Sequence, residues 1–193
     1  MMGTVFSYFA EHFDLPVLDW IAEHLWNPVL DCLMPAITAL GDAGIFWICL
    51  AIILMLIPNH RNTGFRMIAA LLMGLVVCNL IMKPLFARPR PYDYQLEHFG
   101  TVVPLLIDVQ HDFSFPSGHT IASFEAATVL ALRSKKWGIP ALILAGLIAF
   151  SRLYLYVHYP TDVLCSVLLG VVIGTIACRL PDRHSMVNKK EPN

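Results

Sequence analysis

Long runs of apolar residues, separated by short polar segments, dominate this chain of 193 residues. Only 14% of the residues are charged, whereas soluble domains carry about a quarter. Because several runs approach the length of a bilayer-spanning helix, the chain is predicted to be an integral membrane protein. So little polar sequence remains outside the runs that a single domain, 1–193, is expected.

The apolar runs predict an all-α fold, a polytopic bundle of six transmembrane helices, since a helix satisfies its own backbone polar groups inside a bilayer. Prolines, glycines and clusters of charged residues mark the helix ends. The expected helices are at about 28–40, 45–58, 64–86, 118–133, 138–155 and 160–179.

Three other segments lack the length or the hydrophobicity of a spanning helix. Residues 1–26 mix apolar and aromatic residues with four acidic ones, which predicts an amphipathic helix at the membrane interface. Residues 89–117 are predicted to form a polar loop, in which the apolar stretch 102–107 dips into the interface. Residues 182–193 are predicted to be a polar, disordered tail.

The basic residues predict the orientation of the bundle. Most of them follow the second, fourth and sixth expected helices, which places them on one face, and the positive-inside rule makes that face cytoplasmic. Four basic residues lie at the opposite face, where a bound anion would explain them. These four are Lys83, Arg88, Arg90 and Arg152. The site is therefore expected to face the extracytoplasmic side of the plasma membrane. The formal net charge of −1 is uninformative about nucleic acid, and no nucleic-acid partner is expected.

His158 and Asp162 are four residues apart at the start of the sixth expected helix. A carboxylate in this position can accept a hydrogen bond from one ring nitrogen, which leaves the other nitrogen free to attack as a nucleophile. The alternative is a histidine that only packs or caps at a helix end.

Ser117, Gly118 and His119 begin the fourth expected helix. The unpaired N–H groups and the positive dipole at a helix start favour a phosphate. Ser117 can add a hydroxyl group, and Gly118 allows close approach of the backbone. The alternative is an ordinary serine N-cap beside an incidental histidine.

Lys83, Arg90 and Arg152 provide three cations suited to phosphate oxygens. Arg88 falls outside this spacing, and its expected environment is lipid headgroups or solvent. The sequence contains no carboxylate cluster of the kind that holds Mg²⁺, so the cations are expected to replace a metal, and no cofactor is expected.

The spacing of these residues resembles the tripartite signature of the type-2 phosphatidic acid phosphatase superfamily. Its three parts occur in order and without gaps, and the resemblance extends over about residues 40–178. The three parts are Lys83-x6-Arg90-Pro91, Pro116-Ser117-Gly118-His119 and Ser151-Arg152-x5-His158-x3-Asp162.

The resemblance implies a six-helix membrane bundle that removes phosphate from a lipid without a metal. It implies that His158 forms a phosphohistidine and is oriented by Asp162, while His119 protonates the leaving group. The implied phosphate-binding residues are Lys83, Arg90, Ser117, Gly118 and Arg152.

The implied substrate is a lipid phosphate or pyrophosphate. Undecaprenyl pyrophosphate is the first choice, and phosphatidylglycerophosphate and phosphatidate are the others. A lipid phosphotransferase with the same site is an alternative enzyme. A transporter or scaffold that keeps the motif without turnover is an alternative of another class. Vanadium haloperoxidases share the signature but are soluble.

Glu125 is an unexpected acid inside the fourth helix, six residues after His119. Burial in a membrane requires that a carboxyl group find a partner or water. One interpretation is a neutral Glu125 bonded to a neighbouring helix. The other is a polar wall of a lipid-binding cavity, with Asn79 at similar depth.

Overall fold

The computed structural model describes residues 2–181, and all regular secondary structure in this range is helical. The predicted tail, 182–193, lies outside the described residues. The helices are α1 (Met2–Phe9), α2 (Leu15–Leu25), α3 (Pro28–Ala39), α4 (Ile45–Leu56), α5 (Arg61–Leu75), α6 (Lys83–Phe86), α7 (Pro91–Phe99), α8 (Gly118–Arg133), α9 (Lys135–Tyr154) and α10 (Pro160–Cys178).

The helices α3 to α6 and α8 to α10 occupy the segments where spanning helices are expected. A π-helical segment, Val76–Met82, joins α5 to α6. By length and composition, three stretches of residues 2–181 can cross a membrane: α9, α10 and Pro58–Phe99. The pair α3 and Asp42–Leu56, bent by 42°, would be a fourth. α8 has 16 residues, fewer than the roughly 20 that a bilayer requires. These lengths do not confirm the count of six.

The expected polar loop 89–117 contains a helix, α7, which the sequence analysis missed. Pro91 occupies the first turn of α7, where its missing N–H has no cost. Gly100 ends the helix with φ of 67°, a conformation that glycine adopts readily. Both signals are present in the sequence, but the low hydrophobicity of the segment obscured them.

α8 is the central helix and packs against α5, α9 and α10. Gly174 makes the close contact with α10 possible, because a Cβ atom there would lie 2.6 Å from the Glu125 carbonyl oxygen. Small residues of this kind let membrane helices approach closely. The packing places the beginnings of α8 and α10 and the end of α9 near one another, and these are the points where the unusual polar residues occur.

The N-terminal helices α1 and α2 pack against the same end of the bundle. Leu15 and Leu18 form a buried cluster with Tyr94, Tyr156 and Tyr159. Four acidic side chains of the first 31 residues form hydrogen bonds or ion pairs with residues around the candidate site: Glu11, Asp14, Asp19 and Asp31. The N-terminal segment therefore packs against the part of the protein that carries the candidate site, and within this segment Asp14 bonds Arg88.

Candidate active site

His158 lies in the turn between α9 and α10 and is 1% exposed. Its Nδ1 is 3.7 Å from Asp162 Oδ2, which is too long for a hydrogen bond. Ser114 lies beside both residues: its Oγ is 3.5 Å from His158 Nδ1 and donates to Asp162 Oδ2 at 2.5 Å. The predicted pairing is thus a close contact supported by a serine that the sequence analysis did not identify.

Asp162 is fixed by the start of α10 as well as by Ser114. It is the third residue of the helix, and its Oδ2 accepts a hydrogen bond from the Tyr159 backbone N–H at 3.2 Å. Such a bond satisfies an N–H group that the helix leaves unpaired. The carboxylate is fully buried, and Ser114 and the Tyr159 N–H orient it beside His158.

Arg88 is buried, which contradicts the expectation that it meets lipid headgroups or solvent. Only 2% of the residue is exposed, and its guanidinium forms ion pairs with Asp14 and Asp162. Its Cζ also lies 3.7 Å from the centre of the Tyr159 ring. The left-handed backbone at Ala87, with φ of 42°, turns the chain just before Arg88. A buried arginine needs carboxylate partners, and Asp14 is 74 residues away in sequence.

Arg90 lies against the ring of His158. Its Nη1 is 3.4 Å from His158 Nε2 and donates to the Val157 carbonyl oxygen at 2.7 Å. Both Arg90 and Lys83 also form ion pairs with Asp112. The predicted cations are therefore bridged by a carboxylate from the segment between α7 and α8, which the sequence analysis did not single out.

The environment of Asp112 changes its acidity. Partial burial alone would raise the pKa of this carboxyl group, but the Lys83 and Arg90 charges and hydrogen bonds outweigh burial and hold the pKa well below its usual range. Asp112 is therefore ionised at neutral pH and bonds both cations.

Arg152, near the end of α9, is 1% exposed. Its Nη1 donates to Thr38 Oγ1 at 2.6 Å. Its Nε and Nη2 are buried and have no hydrogen-bond partner among residues 2–181. Buried guanidinium donors are costly to leave unpaired, so this geometry suits an anionic ligand.

The start of α8 brings the second motif to the same place. Ser117 is the N-cap residue, and its Oγ accepts a hydrogen bond from the Thr120 hydroxyl at 3.0 Å. A Cβ atom added to Gly118 would lie 4.0 Å from Lys83 Nζ. His119 Nε2 is 2.7 Å from Asp42 Oδ1 in the turn between α3 and α4. Asp42 is a further residue that the sequence analysis did not select.

Burial and neighbouring charges act on the imidazole of His158. Burial is the largest influence and lowers its pKa well below the usual value, and the cations Arg90, Arg152 and Lys83 lower it further. His158 is therefore neutral at physiological pH, as a nucleophile must be.

A cavity of about 530 Å³ opens from this cluster between α4, α5 and α8. Its polar end includes Lys83, Asp112 and His119. Most of its remaining wall is apolar: Ile48, Ile68, Leu71, Leu72, Leu75, Ile121 and Ala122. The shape and lining fit an apolar chain attached to a charged head.

Glu125 also lines this cavity, and its carboxyl group lies directly over Gly74. Its Oε2 is buried without a hydrogen-bond partner among the residues that the structure describes. This geometry favours the second interpretation, in which Glu125 forms a polar wall of the cavity. It does not favour the first, in which the carboxyl group is bonded to a neighbouring helix. Asn79 lines the same cavity, as expected from its depth.

Comparisons with known proteins agree with the geometry. Residues 63–185 match the PAP2 superfamily. The chain is 32% identical, over 155 residues, to the undecaprenyl-diphosphatase BcrC of Bacillus subtilis, which covers 79% of this chain and 76% of that protein.

Two solved structures share the fold. The LpxE structure from Aquifex aeolicus has a TM-score of 0.74 and 30% identity, covering 86% of this chain and 95% of that one. A PAP2-type phosphatidylglycerolphosphate phosphatase from Bacillus subtilis has a TM-score of 0.66 and 24% identity, covering 98% and 96%. The resemblance seen in the motifs is confirmed: this chain belongs to the PAP2 superfamily, and its relatives are membrane lipid phosphatases.

Proposed function

We propose that the chain hydrolyses a lipid phosphate or pyrophosphate through a phosphohistidine on His158, without a metal. The observation that carries this proposal is the contact of Arg90 with the buried imidazole of His158, in a site where Arg152 keeps two buried donors unpaired among the described residues. The free donors of Arg152 and the N–H groups at the start of α8 suit the remaining phosphate oxygens.

The proposed reaction has two steps, transfer of the phosphoryl group to His158 and hydrolysis of the phosphohistidine. The His158 Nε2 lone pair attacks phosphorus, the bond from phosphorus to the leaving oxygen breaks, and His119 gives that oxygen a proton. Water then attacks phosphorus, the bond from phosphorus to His158 Nε2 breaks and its electron pair returns to the ring, His119 takes a proton from the water, and inorganic phosphate leaves. Asp162 and Ser114 hold the ring so that Nε2 faces the cations.

The substrate proposed first is an isoprenyl diphosphate such as undecaprenyl pyrophosphate. Similarity to an undecaprenyl-diphosphatase and the apolar cavity beside His119 support this choice. Phosphatidylglycerophosphate and phosphatidate follow, because they also join a phosphate to apolar chains.

Purified protein tested on these three lipids gives a direct test. We expect phosphate release by the wild type and no detectable release by His158→Ala with an unchanged elution profile in detergent. We also expect activity to persist in excess EDTA, because basic side chains neutralise the phosphate. Hydrolysis by His158→Ala at the wild-type rate would refute the phosphohistidine, and loss in EDTA that Mg²⁺ restores would refute metal independence.

For topology, we propose six spans in the plasma membrane, an interfacial N-terminal helix and an extracytoplasmic site. The Arg66 guanidinium, near the start of α5, donates to the Leu180 carbonyl oxygen at 3.0 Å, which supports a shared face for the ends carrying the cytoplasmic charges. In a variant without the five native cysteines, a cysteine at 102 should react with an impermeant thiol reagent in intact cells, and one at 135 should not. The opposite pattern would reverse the orientation.

A further inference from the structure

Asp14 lies on the face of the N-terminal helices that packs against the protein. It shares a helical stripe with Ala10, Leu18 and Ile21, all of which are buried, and it is itself fully buried. The opposite face carries exposed apolar residues such as Phe13, so that face is suited to the membrane interface. A carboxylate on the buried stripe is costly unless the protein compensates for its charge.

The partners of Asp14 belong to the nucleophile's surroundings. Its Oδ1 accepts from the Thr161 N–H at 2.9 Å, and its Oδ2 accepts from the Thr161 hydroxyl at 2.7 Å. Its Oδ2 also accepts from Arg88 Nη2 at 2.7 Å, while Arg88 Nη1 bonds Asp162. One guanidinium thus bridges the N-terminal carboxylate and the carboxylate beside His158.

This bridge determines where the Asp162 carboxylate lies. Arg88 uses different nitrogens for its two carboxylates, and its plane rests on the Tyr159 ring. The planar fork of arginine makes such an arrangement directional. Without the charge of Asp14, Arg88 is free to rotate toward Asp162, which would draw that carboxylate away from Ser114 and His158.

We propose that Asp14 is a positioning residue for the nucleophile and acts through Arg88 and Asp162. The inference rests on the proposed function, because it assigns His158 as the group that attacks. It adds to the three motifs a fourth sequence element, in an N-terminal segment that also carries exposed apolar side chains such as Phe13.

The first test compares Asp14→Asn with Asp19→Asn, using farnesyl diphosphate as the probe substrate. Asp19 is on the same segment and also accepts a hydrogen bond, from the Tyr156 hydroxyl at 2.6 Å. Among the described residues, the hydrogen-bond partners of Arg88 are Asp14, Thr161 and Asp162, and Asp19 is not one of them. We expect Asp14→Asn to lower kcat by about ten- to a hundredfold, the range of one charge-assisted hydrogen bond, with KM changed less than about twofold. Asp19→Asn should retain kcat within about twofold.

A double-mutant cycle tests whether the effect passes through Arg88. If it does, the variant that combines Asp14→Asn with Arg88→Lys should lose no more activity than the worse of the two single variants, because the effects of substitutions at interacting residues do not add.

Thr161→Val provides a milder variant should Asp14→Asn fold poorly. It removes the hydroxyl that contacts both Asp14 and Arg88, and we expect kcat to fall about fivefold at unchanged elution.

The outcomes separate the two proposals. An active wild type with kcat of both Asp14→Asn and Thr161→Val unchanged, or with fully additive losses in the double variant, would overturn the role of Asp14 alone. A loss confined to KM would do the same. A wild type inactive on farnesyl diphosphate and on the three lipids would overturn the proposed function, and this inference with it.

Discussion

His158 and His119 each face a carboxylate, but the surroundings of the two carboxylates differ. Asp162 is fully buried and shares a buried arginine with Asp14. Asp42, the partner of His119, has 62% of its side chain exposed. Charges in the interior interact strongly and rigidly, whereas exposed pairs contribute little. The nucleophile is thus held by a buried network, and the proposed acid, which must exchange protons with water, is paired with an exposed carboxylate.

Among the variants considered, removal of Arg88 should have the largest effect, a loss of both stability and activity, because Arg88 pairs with both Asp14 and Asp162. Arg88→Ala leaves two buried carboxylates without their cation, and loss of one partner from a buried pair costs about 3–5 kcal/mol. We expect a free energy of unfolding lower by that amount, together with a loss of activity, measured by denaturant titration in detergent micelles and by phosphate release. Arg61→Ala, which alters an exposed arginine, is the control. An unchanged free energy of unfolding in Arg88→Ala would mean that the ion pairs of Arg88 with Asp14 and Asp162 do not stabilise the fold.

Arg90 tests the link between the buried nucleophile and a partly exposed carboxylate, because it touches both His158 and Asp112. A charge-assisted bond to phosphate is worth roughly 1.5–3 kcal/mol, so Arg90→Ala should lower kcat/KM by about ten- to a hundredfold or more. Arg90→Lys should recover part of the loss, since it keeps the charge but not the fork. A loss below about threefold would argue that Arg90 does not hold the phosphate.

The exposed side should respond mildly. Asp42→Asn removes the charge beside His119 while keeping an acceptor oxygen, and exposed pairs are worth about 0.2–1 kcal/mol. We therefore expect kcat to fall by about fivefold or less, as measured by steady-state hydrolysis. A loss as large as that of Arg90→Ala would contradict the claim that the exposed pair of Asp42 and His119 contributes less than the buried groups around His158.

Asp112 gives the smallest expected effect, a dependence of stability on pH. Because the pKa of Asp112 in the folded protein lies below that of the unfolded chain, its stabilisation is fully present above about pH 4 and is lost as the pH falls through the folded value. The difference in Tm between wild type and Asp112→Asn should therefore be constant from about pH 7 to pH 4 and shrink at lower pH. A difference that grows on acidification would contradict the ion pairs with Lys83 and Arg90.

Most residues of this site can be predicted from the sequence, but few of the residues that hold them in place can. Lys83, Arg90, His119, Arg152 and His158 are identifiable because their spacing is regular and their charges interrupt apolar runs. The supporting carboxylates lie outside the α-helices, Asp42 in the 3₁₀ turn Asp42–Gly44 and Asp112 in the segment between α7 and α8. No helical periodicity over several turns links either residue to its neighbours in space.

Asp14 is a different case, because its partner was accessible to sequence reasoning. It falls on the apolar stripe of its helices, with Ala10 four residues before it and Leu18 four residues after it, and an acid on a buried stripe requires a cation. Arg88 was the unassigned cation at the same face. Helix bounds were predicted closely wherever hydrophobicity marks them, as in α8, and missed in the polar helix α7.

Gly74 constrains the side chain of Glu125. A Cβ atom at position 74 would lie closer to Glu125 Oε2 than real Cβ atoms come to a neighbour, so any residue larger than glycine there forces the Glu125 side chain to move. The colliding atoms are the end of a flexible side chain, so the movement is possible, and its consequence falls on the cavity that this carboxyl group lines. Glycine at 74 thus sets the direction in which the one buried acid of α8 points, and an alanine there would redirect that acid without a change in the acid itself.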